Sequence, residues 1–307
     1  MACIIPRRII NPHYKKIAKE NNEDVFNYEG RDDFFIDVNC GRCINCIKSY
    51  MTMWRTRLMH EFEYITKEER QNSWFITLTF KDDVLHSKDF DLYKCKYRFI
   101  DRIRKKYGST PRYWLVTEYG ERTQRLHLHG LIFNCNFDIW KLADLWGYGF
   151  VQYRHLDDIA IKYVTSYITK GNEDIIINPA FRQRVFCSPG IGLNYCKDVV
   201  NINFHRKDGL FPILFNSSNM PIAMPRYYRQ KLFTPEELED MSLKYFMMLS
   251  DDVIPEGPYR IGNLSYNDYT IYKQKAESFR NVYNKLYLSY RDENAQLKSV
   301  ECPNFVI

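Results

Sequence analysis

Two strand-like segments joined by a short connector limit the fold of this chain most strongly. Arg112 to Glu118 and Leu126 to Phe133 are rich in β-branched and aromatic residues, as strands are. Only the sequence YGERTQR separates them, which is the right length for a hairpin with a longer loop. We therefore expect an antiparallel pair here.

The neighbouring patterns predict helices and further strands around this hairpin. Apolar residues at spacings of three and four predict a helix from Ile44 to about Thr66. The other predicted core elements are strands at 74–80 and 150–154 and helices at 90–107, 139–146 and 158–170. Neighbouring strands with helices between and after them indicate an α+β fold built on an antiparallel sheet flanked by helices.

The regions outside this core are less regular in sequence. Residues 1–39 read as an irregular, cysteine-containing segment, and FCSPGIG (186–192) and MPIAMPRYYRQK (220–231) read as loops. The C-terminal region is predicted to be mostly helical, with helices at 235–249 and 266–290. The expected domains are an N-terminal segment and helix at 1–70, a core at 71–205 and a C-terminal region at 206–307.

Composition excludes some classes of protein. The chain has 307 residues, 45% of them hydrophobic, which is ordinary for a globular protein. No window approaches the roughly 18 uncharged apolar residues of a membrane span, and Met1 to Arg8 lacks the charge order of a secretion signal. A net charge of +6 permits a polyanionic partner. The 16% aromatic content suits either base stacking or an aromatic core.

Three cysteines in seven residues form the least random motif. Chance predicts only about 0.008 triplets of the spacing Cys40-x-x-Cys43-x-x-Cys46 in a chain with nine cysteines. Three thiolates and a fourth ligand would make a closed structural zinc site. Cys3 is the expected fourth ligand, Cys95 or Cys135 could replace it, and free thiols are the alternative.

A histidine pair lies within the second hairpin strand. His127 and His129 alternate along LHLHGLIF, so both imidazoles share one face about 7 Å apart. Glu118 ends the preceding strand and can come level with them, although Glu121 offers a second carboxylate. Two imidazoles and a carboxylate predict an open site for Mn²⁺ or Mg²⁺, the alternative being two exposed histidines.

A tyrosine pair follows on the next long helix. Tyr163, Tyr167 and Lys170 lie at i, i+4 and i+7, on one helix face. A phenol needs help to attack a phosphodiester, and a nearby ammonium lowers the cost of the phenolate. Tyr-x-x-x-Tyr also occurs at 93/97 and 283/287, and core tyrosines are the alternative interpretation, but only the 163/167 pair has the lysine.

WFITLTF, HLHGLIF and YVTSYITK, in this order, resemble the three motifs of rolling-circle replication initiators of the His-hydrophobe-His (HUH) endonuclease superfamily. MACIIP, CGRCINC, SPGIGLNY and MPRYYRQK are similar to the gokushovirus branch of the microviruses. The resemblance covers roughly residues 3–231.

This resemblance implies a five-stranded antiparallel sheet and a metal-dependent tyrosine endonuclease and strand transferase. His127, His129 and Glu118 would bind the cation, and Tyr163 and Tyr167 would act as nucleophiles, with Lys170 at the phosphate. Such an enzyme nicks single-stranded or supercoiled origin DNA, forms a 5′-phosphotyrosine and closes the released strand into a circle. It acts in the cytoplasm of the bacterial host, with host polymerase and helicase.

Two further hypotheses fit the sequence. A related single-strand transposase or relaxase would use the same motifs on another DNA site. A non-catalytic, zinc-stabilised nucleic-acid-binding protein would use the aromatic and basic residues alone. The first would cleave transposon or transfer ends, and the second would lose no activity without its tyrosines.

Overall fold

The computed structural model describes residues 3, 6–31, 34–120, 123–169, 183–206, 213–215 and 221–238. Of the two predicted C-terminal helices, only the first turn of one falls among them, and residues 235–238 are helical. The rest of that helix and the one predicted at 266–290 lie outside the described residues.

The described residues fall into two units. The first contains those up to Cys46, together with Phe215, residues 221–222 and residues 233–238. The second contains those within Ile47–Leu214 and Ala223–Leu232. In the described part of the chain, no helix combines the length and apolar character needed to cross a membrane.

The first unit contains regular structure where we predicted an irregular segment, so that prediction is wrong. Strand β1 (Arg7–Ile10) pairs antiparallel with β2 (Phe35–Val38). Between them helix α1 (Pro12–Asn21) begins where the Asn11 side chain accepts a hydrogen bond from the His13 backbone N–H. The strands were missed because each has four residues and pairs with a segment far along the chain, which local patterns do not reveal.

A five-stranded sheet forms the centre of the second unit. Its strands are β3 (Trp74–Thr79), β4 (Arg112–Tyr119), β5 (Leu126–Phe133), β6 (Val151–His155) and β7 (Val185–Cys187). The spatial order is β6-β3-β5-β4-β7 and every pairing is antiparallel. The predicted α+β class and the five-stranded antiparallel sheet are confirmed.

Helices occupy both faces of the sheet and the connections. Their bounds are α2 (Ile44–Glu63), α3 (Lys67–Gln71), α4 (Asp82–Leu85), α5 (Leu92–Tyr107), α6 (Leu142–Trp146), α7 (Asp158–Ser166), α8 (Val199–Arg206) and α9 (Arg226–Leu232). Short 3-10 turns cover Val25–Tyr28, Ile139–Lys141, Tyr167–Thr169 and Leu193–Cys196.

Alternation along the strands produces two cores. Ile76, Leu115 and Leu128 point to the face covered by α5 and α6, where they pack with Phe99 and Trp146. The opposite face packs against α2 and α7. Its buried residues include Phe75, Trp114, Val116 and Leu131 from the sheet and Trp54, Leu58, Ile161 and Val164 from the helices.

Two segments predicted as loops are partly regular, so those predictions are corrected. Val185–Cys187, at the start of FCSPGIG, is the edge strand β7, and it pairs with Trp114–Val116. In the 220–231 segment, Pro221–Ala223 is strand β9, which pairs with β8 (Ile213–Phe215), and helix α9 follows it. Strands of three residues are too short for a period-two pattern to be read from sequence.

Candidate active site

The register of β4 and β5 fixes the positions of the carboxylate and the two imidazoles. Glu118 lies directly opposite His127, and Val116 opposite His129. Because residues opposite each other in an antiparallel pair share a face, the three side chains point to the same side of the sheet, towards α2 and α7. Glu118 and His129 are each about 8% exposed, so water screens them weakly.

His129 is held from both ring nitrogens. Its Nε2 lies 2.6 Å from Glu118 Oε2, and its Nδ1 lies 3.0 Å from the hydroxyl oxygen of Thr77 on β3. When Thr77 accepts the Nδ1 proton, Nε2 presents its lone pair towards the carboxylate. A hydrogen bond to the far nitrogen is how metal-ligating histidines are usually oriented.

His127 has a buried nitrogen without a hydrogen-bond partner in the described residues, namely Nδ1. Its ring centroid is 6.4 Å from that of His129. Burial, and then the neighbouring His129, lower the pKa of His127, which Glu118 partly opposes. The imidazole is therefore neutral near pH 7, as a metal ligand must be.

Helix α7 places the two tyrosines over this group. The helix begins where the Asp157 carboxylate accepts from the Ala160 backbone N–H at 2.6 Å, a favourable N-cap. Its apolar side packs on the sheet, which leaves Tyr163 and Tyr167 one turn apart. Tyr167 stacks on His129 at 4.2 Å between centroids and 6° between planes.

The tyrosine pair is asymmetric in exposure. Tyr163 is 47% exposed and Tyr167 is 3% exposed, yet their hydroxyl oxygens are 2.6 Å apart, with Tyr167 donating. One phenol is therefore open to a ligand, and the other supports it from inside the fold.

The sheet surface beside the tyrosines carries an aromatic ring and a cation. Phe75 lies 6.0 Å from both His129 and Tyr163, centroid to centroid. The exposed guanidinium of Arg154, opposite Phe75 on edge strand β6, lies 5.0 Å from the centre of that ring. A cation beside an accessible phenol suits a phosphate ligand.

Sequence patterns did not single out Thr77, Phe75 or Arg154. Each is an ordinary strand residue whose role depends on strand order, although Thr77 does lie in WFITLTF. Two predicted residues cannot be placed: Lys170 and the alternative carboxylate Glu121 lie outside the described residues.

The side chains present fit a divalent cation. Glu118 and His129 already approach to 2.6 Å, and a buried nitrogen of His127 lacks a partner atom on the same strand face. Two imidazoles and one carboxylate are a donor set suited to Mn²⁺ or Mg²⁺, with coordination positions left for a substrate.

The cysteines form a second, separate group in the first unit. The sulfur atoms of Cys3, Cys40, Cys43 and Cys46 all lie within 4.8 Å of one another, and this group could hold a structural metal such as zinc. The Sγ–Sγ distances are 3.8 Å for Cys3–Cys43 and 3.9 Å for Cys40–Cys46, too long for disulfides. Four thiolates bound to zinc at about 2.3 Å would lie about 3.8 Å apart in a tetrahedron.

Backbone amides complete the cysteine group. The N–H groups of Arg42 and Cys43 donate to Cys40 Sγ at 3.3 and 3.2 Å, and the Cys40 N–H donates to Cys3 Sγ at 3.3 Å. The alternative fourth ligands, Cys95 and Cys135, are buried instead in the core between the sheet and α5.

Comparison with known proteins identifies the chain's relatives. Residues 73–172 match the family model of the replication-associated protein ORF2, a range that contains the histidine pair and both tyrosines. The resemblance to microvirus replication proteins is confirmed. The chain is 24% identical to the replication-associated protein ORF2 of Spiroplasma virus 4, over 90% of this chain and 94% of that protein.

Two further phage replication-associated proteins are similar over shorter ranges. VP4 of Bdellovibrio phage phiMH2K is 28% identical over 62% of this chain and 65% of its own length. ORF4 of Chlamydia phage 1 is 22% identical over 59% of this chain and 51% of its own length. No solved structure matches the chain.

Proposed function

We propose that this protein initiates rolling-circle replication of a phage genome as a metal-dependent tyrosine endonuclease and strand transferase. The observation that carries the proposal is the contact between the nucleophile and metal-ligand groups. Tyr167 stacks on His129, which meets Glu118, and Tyr163 is bonded to Tyr167. One phosphate of a single strand can touch a phenol and a cation together only in such an arrangement.

Tyr163 is the proposed first nucleophile, because it is 47% exposed whereas Tyr167 is buried. Its phenolic oxygen forms a bond to phosphorus while the bond from phosphorus to the 3′ oxygen breaks. The products are a 5′-phosphotyrosine and a 3′ hydroxyl, which takes up one proton for the one that the phenol releases. Rejoining reverses these bond changes, so it needs no nucleotide cofactor.

Tyr167 is positioned to assist the first step and to serve in the second. Its hydroxyl donates to the Tyr163 oxygen, which stabilises negative charge on that oxygen as the proton leaves. Cleavage of the regenerated origin after one round of synthesis requires a second phenol, and Tyr167 would become accessible once the Tyr163 ring has moved with its DNA.

Glu118, His127 and His129 would hold Mg²⁺ or Mn²⁺. A cation bound there supplies Lewis-acid polarisation of the phosphate and neutralises charge in the transition state. The Thr77 hydroxyl keeps His129 in the tautomer that such binding needs. Arg154, and Lys170 as the sequence predicts, would bind the phosphate from outside the metal group. Host helicase would unwind the duplex, and host polymerase would extend the 3′ hydroxyl in the bacterial cytoplasm.

A covalent-adduct assay tests this function. We would incubate the protein with single-stranded fragments of the genome that encodes it, with Mn²⁺ or Mg²⁺, and analyse the products on a denaturing gel. We expect a denaturation-resistant protein–DNA adduct, which Tyr163→Phe reduces strongly and Tyr163→Phe with Tyr167→Phe abolishes. Tyr50→Phe, at a tyrosine of similar exposure (39%), is the matched control.

Each outcome of this assay is informative. An adduct formed by the double variant would refute the assignment of the nucleophiles. An adduct lost with Tyr167→Phe but kept with Tyr163→Phe would reverse their order. Cleavage of transposon or transfer ends, and not of any genome fragment, would instead support the transposase or relaxase hypothesis.

We also propose that the cysteine group binds one structural zinc ion. The near-tetrahedral sulfur distances and the N–H donors to sulfur support this assignment. Elemental analysis should find about one zinc per chain, and Cys43→Ala should lose it, whereas Cys196→Ala, at a buried cysteine of the second unit, should retain it. Absence of zinc from the purified protein would remove this claim.

A further inference from the structure

Helix α5 carries a concentration of positive charge that the catalytic proposal does not use. Its 16 residues contain seven Lys or Arg and a single acidic residue, Asp101. The whole chain has 44 Lys and Arg against 38 Asp and Glu, so the residues outside this helix hold 37 of each and carry no net charge. The entire formal charge of the protein, +6, therefore resides in one helix.

The helix presents these cations on one exposed face. Cys95, Phe99 and Ile103 bury the opposite side against the sheet. The exposed face carries two tyrosines and four basic residues around Asp101; they are Tyr93, Lys94, Tyr97, Arg98, Arg104 and Lys105. Asp101 pairs with Arg104 at 2.5 Å and Lys105 at 2.9 Å, whereas Lys94 and Arg98 pair with no acidic side chain in the described residues.

Exposed aromatic rings lie among these cations. Tyr93 is 51% exposed and Tyr97 is 61% exposed. Arg184, which precedes edge strand β7, donates to the Tyr93 hydroxyl at 2.8 Å and lies 5.2 Å from its ring centre. The surface thus continues from the helix onto the edge of the sheet.

We infer that this basic face, formed by α5 and Arg184, is a second binding surface for single-stranded DNA. Its cations match the phosphate backbone, and its tyrosines provide faces on which unpaired bases stack. A duplex hides its base faces, and a membrane would require a free apolar face, which α5 has already buried in the core.

The surface is distinct from the catalytic site. Helix α5 packs on the sheet face that carries Leu115 and Leu128, whereas Glu118, His127 and His129 point to the other face. A strand bound along α5 is therefore a different stretch of DNA from the one at the tyrosines. Such a surface would retain the strand outside the reaction site through successive cleavage and rejoining.

Fluorescence anisotropy with a labelled oligo(dT) in buffer without Mg²⁺ or Mn²⁺ measures this binding apart from cleavage. We expect Lys94→Glu with Arg98→Glu to weaken binding by about tenfold or more at low salt. The neutral pair Lys94→Gln with Arg98→Gln should lower the slope of log affinity against log salt by about 1.4, or about 0.7 per lost contact.

Controls separate local from general effects. Lys15→Glu with Lys19→Glu makes the same change in charge on exposed residues of α1 and should leave affinity within about twofold. Equal weakening by the two charge-reversed pairs would overturn the proposal. Tyr97→Leu should weaken binding by about fivefold or more through lost stacking, and unchanged affinity of that variant, with duplex binding alone sensitive to charge, would refute the assignment to single strands.

The catalytic proposal fails independently of this one. The Lys94/Arg98 variants should still form the covalent adduct on a short oligonucleotide at saturating concentration. Normal oligo(dT) binding without any adduct in the wild type would refute the endonuclease alone, whereas normal adduct formation with charge-insensitive oligo(dT) binding would refute the second surface alone.

Discussion

Gly130, which follows His129 in the HLHGLIF motif, should be intolerant of any side chain. It lies opposite Leu115 on β4, and a Cβ atom built there would be 2.3 Å from Leu115 Cδ2 and 2.6 Å from the Trp114 carbonyl oxygen. The Leu115 side chain is fully buried, and the carbonyl belongs to a strand paired on both sides. Relief therefore requires β4 and β5 to separate by about 0.5 Å, since flexible side chains cannot absorb the clash.

The magnitude follows from this overpacking. Insertion of a methyl group into a packed core costs about 1–3 kcal/mol, and a clash with backbone belongs at the upper end. About 3 kcal/mol corresponds to a melting temperature lower by about 6–12 °C for a domain of this size. Because Glu118 and His129 lie on the two strands that separate, adduct formation at 25 °C should also fall by about tenfold.

Thermal unfolding followed by circular dichroism and the adduct assay would measure both effects. Gly30→Ala is the matched control, because a Cβ there meets no atom within 4 Å, and its melting temperature should not change by more than about 1 °C. The reasoning is refuted if Gly130→Ala melts with the wild type, since the two strands would then have room that the structure does not show.

Three further predictions concern charge and hydrogen bonding. Burial lowers the pKa of His60 to about 3, so the unfolded chain binds one more proton between about pH 6.5 and 3, and stability falls as the pH drops through that window, by up to roughly 5 kcal/mol. His60→Phe should flatten this acid limb in denaturant titrations, at a cost of about 1–3 kcal/mol at pH 7 for the hydroxyl of Tyr228 left unpaired. Thr77→Val should raise the Mn²⁺ concentration for half-maximal cleavage by about 10–100-fold, through loss of the bond to His129, and an unchanged Mn²⁺ requirement would deny that role. Arg154→Ala should raise KM for a short oligonucleotide by about tenfold, with a smaller effect on kcat, and an unchanged KM would place the strand elsewhere.

Local patterns were sufficient for much of the fold. The amphipathic helix α5, with Asp91 at its N-cap and Gly108 at its end, and strand β5 occur close to where sequence places them. Their signals lie within a few residues, in apolar periodicity and in the side chains that cap the ends. The cysteine triplet is local in the same sense, because its spacing alone departs from chance.

Contacts between distant segments carried the information that sequence could not supply. Strand β7 is recognised only by its pairing with Trp114–Val116, and Cys3 joins the other cysteines only through the fold of the first unit. The hydrogen bond from Thr77 to His129 exists because β3 lies beside β5, although 52 residues separate them.

The sequence by itself determined which chemical groups this protein has and where its main core elements begin and end, because those properties depend on neighbouring residues. Only the tertiary structure decided that Tyr163 is open while Tyr167 is buried on His129, and that the charged helix lies behind the sheet. Both depend on which face of the sheet each helix covers, and packing of distant apolar residues sets that choice.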